Sequence, residues 1–151
     1  MRLTSYTDYS IRVLITLGAL PEKEKISIQE IADAFKISKN HLKKVIHKLG
    51  QLGLVHTTRG RSGGIRLAKL PKDINIGWVV RHTEDDFHIV ECFDAGRDAC
   101  IISPVCRAKS MFAEALHHYL QTLDHYSLAD VITNKEQLAN QIERKGPDPG
   151  L

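Results

Sequence analysis

The residues best equipped for chemistry are three cysteines spaced Cys92-x7-Cys100-x5-Cys106, with no other cysteine in the chain. Thiols crowded this tightly are more often ligands than coincidence, and thiolate suits zinc and iron–sulfur clusters. Structural zinc favours a tighter Cys-x2-4-Cys pair, which is missing. A longer, glycine-bearing loop can wrap a larger cluster, and three thiolates leave one iron of a [4Fe–4S] cluster for another ligand. Asp8, His88, His117, His118 or a small exogenous molecule are candidates for it. The spacing puts iron–sulfur chemistry first, as [4Fe–4S] with [2Fe–2S] as the alternative. It leaves zinc, a thiol redox switch and unliganded cysteines open. An enzyme has little support: there is no nucleotide-binding glycine loop after a strand, no Cys-x-x-Cys and no acid/base pair.

Charge supplies a second constellation. Residues 1–80 carry 14 Lys and Arg against 6 Asp and Glu, whereas residues 81–151 carry 7 against 12. The net +3 of the chain therefore conceals a cationic first half. From Lys36 to Lys72 there are ten basic residues and no acid. Segregation of this kind points to a polyanion-binding module joined to something else.

The elements that must position these groups are legible in part. Thr7 or Asp8 can cap a first helix that ends before Pro21. Ser27 and Glu30 form a capping box for a short helix to Ala34 or Phe35. After a break, Ser38 caps a helix from Lys39 to about Leu49. That helix buries Leu42, Val45, Ile46 and Leu49 and turns Asn40, His41, Lys43, Lys44, His47 and Lys48 outward. Two short helices joined tightly, the second cationic, make a helix-turn-helix. Leu54 to Thr58 and Ile65 to Ala68 then read as strands around the glycine-rich turn Arg59-Gly60-Arg61-Ser62-Gly63-Gly64. Such a wing presents Arg59 and Arg61 to a narrow minor groove, while Asn40 and His41 can reach base edges in the major groove. Lys43, Lys44 and Lys48 suit phosphates, and Ser38 and Lys39 at the helix start belong to the same DNA-binding set.

Residues 75–82 read as another short helix, with Trp78 a core or interface aromatic. The cysteine segment carries too much Gly, Asp and Pro for a regular element. Phe112, Ala115, Leu116, Tyr119, Leu120 and Leu123 then form one stripe of an amphipathic helix. Its partner is either the same helix of a second subunit or the first helix of its own chain. One more short helix is expected at 127–132.

The fold class is thus mainly α with a small β-hairpin: a winged helix-turn-helix over 1–82, a linker and cysteine loop over 83–109, a dimerisation helix region over 110–132 and a flexible tail over 133–151. No apolar run reaches the roughly 18 residues of a membrane span. The opening residues lack a secretory h-region, so a cytoplasmic protein is expected.

Several stretches together resemble the Rrf-type family of winged-helix iron–sulfur transcriptional regulators. They are Met1 to Tyr9, Ser38-Lys39-Asn40-His41, Arg59 to Leu67, Ile76 to Arg81, the three cysteines and Leu123 to Asp130, so the likeness runs over residues 1–132. The resemblance implies a homodimeric repressor of double-stranded operator DNA with a [4Fe–4S] cluster on Cys92, Cys100 and Cys106. It also implies a fourth ligand from an aspartate of the first helix, which maps onto Asp8 of the partner subunit. From the residues alone Asp8 reads as a helix cap. The implied signal is nitric oxide, which attacks the cluster and releases the DNA; sensing of oxidants or cluster status is the alternative within the family. Two departures stand out. The first cysteine gap is longer than the family's usual four or five residues, and Trp78 stands where an acid is common. The family's iron–sulfur-assembly regulators place a histidine ligand three residues after the third cysteine, where this chain has Lys109.

Overall fold

The computed structural model describes residues 2–22, 24–61 and 63–143. Helix α1 (Ser5–Ala19) runs through the centre of the fold. The turn of the helix-turn-helix lies between α2 (Ile28–Phe35) and α3 (Lys39–Gln51). The wing is an antiparallel hairpin of β1 (Val55–Thr58) and β2 (Gly64–Leu67), with Val55 opposite Leu67 and Thr58 opposite Gly64. Helix α4 (Ile76–Thr83) leads into the cysteine segment. The long α5 (Arg107–Asp124) is followed by a single turn, α6 (Leu128–Val131), and by α7 (Lys135–Glu143).

Local chemistry explains the boundaries. Ser27 and Glu30 make the reciprocal capping box of α2, and Ser127 and Asp130 make another at α6. Lys36 then takes a left-handed conformation (φ 54°) to close α2, and α3 begins three residues later. At the wing tip Gly60 adopts φ 102°, which a side chain would strain. One core gathers Val13, Leu14 and Leu17 of α1, Ile31 of α2, Leu42, Val45, Ile46 and Leu49 of α3, Ile65 of the wing and Val79 and Val80 of α4. Leu128 and Ile132 join it from the far end of the chain.

Several expectations need correction. The first helix is capped by Thr4, whose hydroxyl accepts from the Thr7 amide, and not by Thr7 or Asp8. Thr7 is fully buried and donates to the Thr83 hydroxyl instead. The span 133–151 is not simply a tail: α7 packs on α1 and α2, with Leu138 against the core. The rest of that expected tail, 144–151, lies outside the described residues. Helix α5 starts before residue 110 and packs on α4 rather than on α1. Of the two places expected for Trp78, the core is excluded: the ring is 37% exposed and stacked on His82 with ring centroids 3.9 Å apart.

The joint between α4 and α5 is specific. Arg81 grips both carboxylate oxygens of Asp124, the longer bond being 2.8 Å, and Asn75 donates to the Asp124 carbonyl. Gly77 makes room for it. A Cβ there would collide with the Asp124 carboxylate and sit 2.8 Å from the Asp124 amide nitrogen.

Gly77→Ala should therefore lower stability by roughly 1–3 kcal/mol despite alanine's better helix propensity, because backbone cannot yield cheaply. A raised urea midpoint would show that α5 is free to shift. A pH dependence also follows. Hydrogen bonds from Ser27 to Glu30, from Arg81 to Asp124 and from Ser127 to Asp130 each hold the carboxyl below its ordinary value. With folded values lowered, their stabilisation is complete above the unfolded values of about 4 and is lost as the pH falls through the folded ones. Urea unfolding should show declining stability below about pH 4; an unchanged midpoint at pH 3 would contradict this.

Candidate functional site

Two surfaces carry the expected site residues. On the first, Ser38, Lys39, Asn40, His41, Lys43 and Lys44 are all exposed, and Lys48 is half-buried. The buried face of α3 is its apolar stripe, so the outward face is fixed by packing. Ser38 sits at the N-cap, but its hydroxyl makes no capping bond and remains available. The first turn of α3 holds no acid, so the positive end of its dipole faces outward uncompensated. Arg59 and Arg61 are exposed at the wing tip. None of these cations is paired with a carboxylate among the described residues. Recognition helix and wing tip together form one cationic surface.

The second surface is the segment between α4 and α5. It folds as short turns, Glu91–Phe93 and Ser103–Val105, rather than as a regular element. All three thiols are free: Cys92 and Cys106 are half-buried and Cys100 is exposed. Cys106 forms the N-cap of α5. No three His, Cys, Asp or Glu side chains are gathered as a metal-binding group among the described residues of one chain. The donor set itself fits an iron–sulfur cluster, with three unpaired thiols on one open loop and none committed to the core. His117 and His118 lie exposed on α5, and His88 faces Asp86 at 3.8 Å. Lys109 donates to Ser103 at 2.9 Å and pairs with Asp98 at 3.5 Å. The hydrogen bond from Ser103, first among several causes, holds the Asp98 carboxyl below its usual value.

Asp8 lies in the first turn of α1. Both its oxygens face Arg12, at 3.1 Å to Nε and 2.7 Å to Nη2, and the pair is half-exposed. The start of α1 is tied to the root of the cysteine segment. The Thr4 amide and hydroxyl both donate to Glu84, at 2.8 and 3.1 Å, and Thr7 donates to Thr83 at 3.0 Å. The same turn reaches α3, because the Tyr6 hydroxyl donates to the Lys44 carbonyl at 3.1 Å. Sequence reasoning missed these ties. Only the Asp8–Arg12 spacing of four announces itself locally.

The profile of the Rrf2 family, described as iron-dependent transcriptional regulators, matches residues 3–134. The chain belongs to the Rrf2 family. Within it, the chain is 58% identical to the HTH-type transcriptional regulator NsrR of Bacillus subtilis (strain 168), over 96% of this chain and 99% of that protein. It is 55% identical to the HTH-type transcriptional regulator NsrR of Bacillus licheniformis, over 91% and 96%. Two solved structures of lower identity share the Rrf2 fold. The oxidized form of Staphylococcus aureus CymR has a TM-score of 0.72 at 21% identity, covering 88% of this chain and 97% of its own. T. potens IscR has a TM-score of 0.71 at 23% identity, covering 91% and 90%. This Rrf2 protein is therefore a winged-helix transcriptional regulator, and no helix among its described residues is long and apolar enough to cross a membrane.

The corrected cap gives a test at the site. Thr4→Ala should destabilise the protein by about 1 kcal/mol, and Asp8→Ala by no more than about 0.5 kcal/mol, because an exposed i,i+4 ion pair contributes little. Equal losses in thermal melts would restore Asp8 as a structural cap.

Proposed function

We propose that the chain is a homodimeric repressor that reads double-stranded operator DNA and senses nitric oxide through a [4Fe–4S] cluster. Cys92, Cys100 and Cys106 would hold three irons, and Asp8 of the partner subunit would hold the fourth. The observation that carries the reading is the triple tie of one helix turn. Within residues 4–8, α1 carries Asp8, grips the root of the cysteine segment through Thr4 and Thr7, and grips the recognition helix through Tyr6. The stretches shared with the nitric-oxide-sensing members of the family support the choice of signal.

When bound, the cluster supplies iron atoms open to attack by nitric oxide. The protein's part is mechanical. The Asp8 carboxylate has two oxygens, so one can keep Arg12 while the other reaches outward. A lone carboxylate oxygen is a weaker partner for iron than thiolate, so Asp8 would be the ligand most readily given up. Its loss would remove the tie between each reading head and the partner's cysteine segment, while Thr4, Thr7 and Tyr6 keep α1, α4 and α3 of one chain together. Each head would then move as a unit, and the match to half-site spacing would be lost. In the dimer, α5 supplies the contact. None of its residues is buried in one chain, and Met111 and Phe112 stand exposed.

Two experiments test this. Arg61→Ala should weaken operator binding about tenfold and flatten its salt dependence by about one ion. Wild-type operator affinity with an unchanged salt slope would refute the wing contact. Replacing any one of the three cysteines by Ala should abolish the cluster in anaerobically purified protein, whereas Asp8→Ala should keep a cluster with altered absorbance and lose operator affinity. Wild-type spectra and a wild-type nitric oxide response in Asp8→Ala would remove Asp8 from the ligand set.

A further inference from the structure

We infer that Asp98, Ser103 and Lys109 form a positioning network that sets Cys100 and Cys106 before iron arrives, leaving Cys92 as the arm that closes. The inference deepens the cluster reading above and rests on it.

The segment from Cys100 to Cys106 is conspicuously exposed, with Ile101 at 95% and Val105 at 81%, yet Ser103 in its middle is only 8% exposed. Its hydroxyl donates to Asp98 Oδ2 and accepts from Lys109 Nζ at 2.9 Å. The other Asp98 oxygen accepts from the Cys100 amide at 3.2 Å. Backbone bonds from Ser103 N to Cys100 O and from Val105 N to Ile102 O, both 3.0 Å, complete the turn. Lys109 belongs to the first turn of α5, so the network fastens the turn to a helix. Cys100 and Cys106 thus stand at the two ends of one braced unit.

Cys92 belongs to a different unit. The turn around it closes through Phe93 N to Val90 O and Asp94 N to Glu91 O. Asp94 then accepts from the Gly96 amide and pairs with Arg97 at 3.7 Å. No hydrogen bond or ion pair among the described residues joins this turn to the Asp98–Lys109 unit. The chain at Arg97–Asp98 joins the two. Fixing two of three donors in advance removes most of the ordering that binding would otherwise require, and one free joint suffices to close the set. Lys109 is thereby a positioning residue, engaged with Ser103 and Asp98 and not spare.

The test uses the full chain and the variants Ser103→Ala, Asp98→Asn, Lys109→Met and Lys109→Arg. Hydrogen exchange of the metal-free protein reads the brace, and anaerobic reconstitution with ferrous iron and sulfide reads its use. Loss of one such bond should speed exchange at the Cys100, Ser103 and Val105 amides about fivefold, leaving the Cys92 turn and α3 unchanged. Cluster uptake should slow by about the same factor, with the final iron content per chain preserved. Lys109→Arg should behave as wild type. Wild-type uptake rates in Ser103→Ala, Asp98→Asn and Lys109→Met would overturn the inference, as would equal loosening of the Cys92 turn. Wild-type protein that takes up no iron at all would mark a failure of the cluster reading itself. The exchange contrast would then persist while the inference fell with that reading.

Discussion

The structure depends on a hydrogen bond between two buried hydroxyls. Thr7 on α1 and Thr83 at the end of α4 are 0% and 5% exposed, and Thr83 in turn donates to the Val79 carbonyl. A hydroxyl buried without a partner costs about 1–3 kcal/mol, so the buried Thr7 hydroxyl is held to Thr83. The consequence is positional. The helix that begins the fold and the helix that leads to the cysteines cannot slide independently. Thr4 and Glu84 extend the same tie to the surface. Since α1 also packs on α3, α6, α7 and β2, its axis is the common reference for these elements.

Around that axis the charges separate by task. Most of the cationic residues from Lys36 to Lys72 lie on α3 and the wing, with Lys36 closing α2 and Lys69 and Lys72 following the hairpin. The acidic residues gather after α4 and are engaged in local turns: Asp86 accepts from the His88 amide, Asp94 from Gly96 and Asp98 from Cys100. Carboxylates here shape the loop and lie away from the cationic surface of α3 and the wing. The two surfaces therefore meet mechanically through α1 and are kept apart electrostatically.

What was legible in the sequence was local. The capping box at Ser27 and Glu30, the apolar spacing of Leu42, Val45, Ile46 and Leu49, and the glycine-rich wing tip depend on neighbours a few residues apart. What escaped depends on distant partners. Thr7 has the local signature of a cap, but a residue 76 positions away draws it into the core and leaves Thr4 to cap. Helix α7 is polar and short, with Leu138 its main anchor, so its order comes from packing on α1 rather than from propensity. The cysteine segment could be marked as irregular, but not divided into a braced turn and a separate one, because the Ser103 brace rests on side-chain partners no period announces.

The Arg81–Asp124 joint also sets a lever. It holds α5 at its C-terminal end, while Cys106 caps the opposite end. With 18 residues, α5 spans about 27 Å. A tilt of about 10° at the joint would sweep the Cys106 end through about 5 Å, roughly one helical pitch. Small angular play at a single ion pair is thus amplified into a displacement as large as a side chain. Conversely, a force applied at the cysteine end acts on the joint with the mechanical advantage of the whole helix.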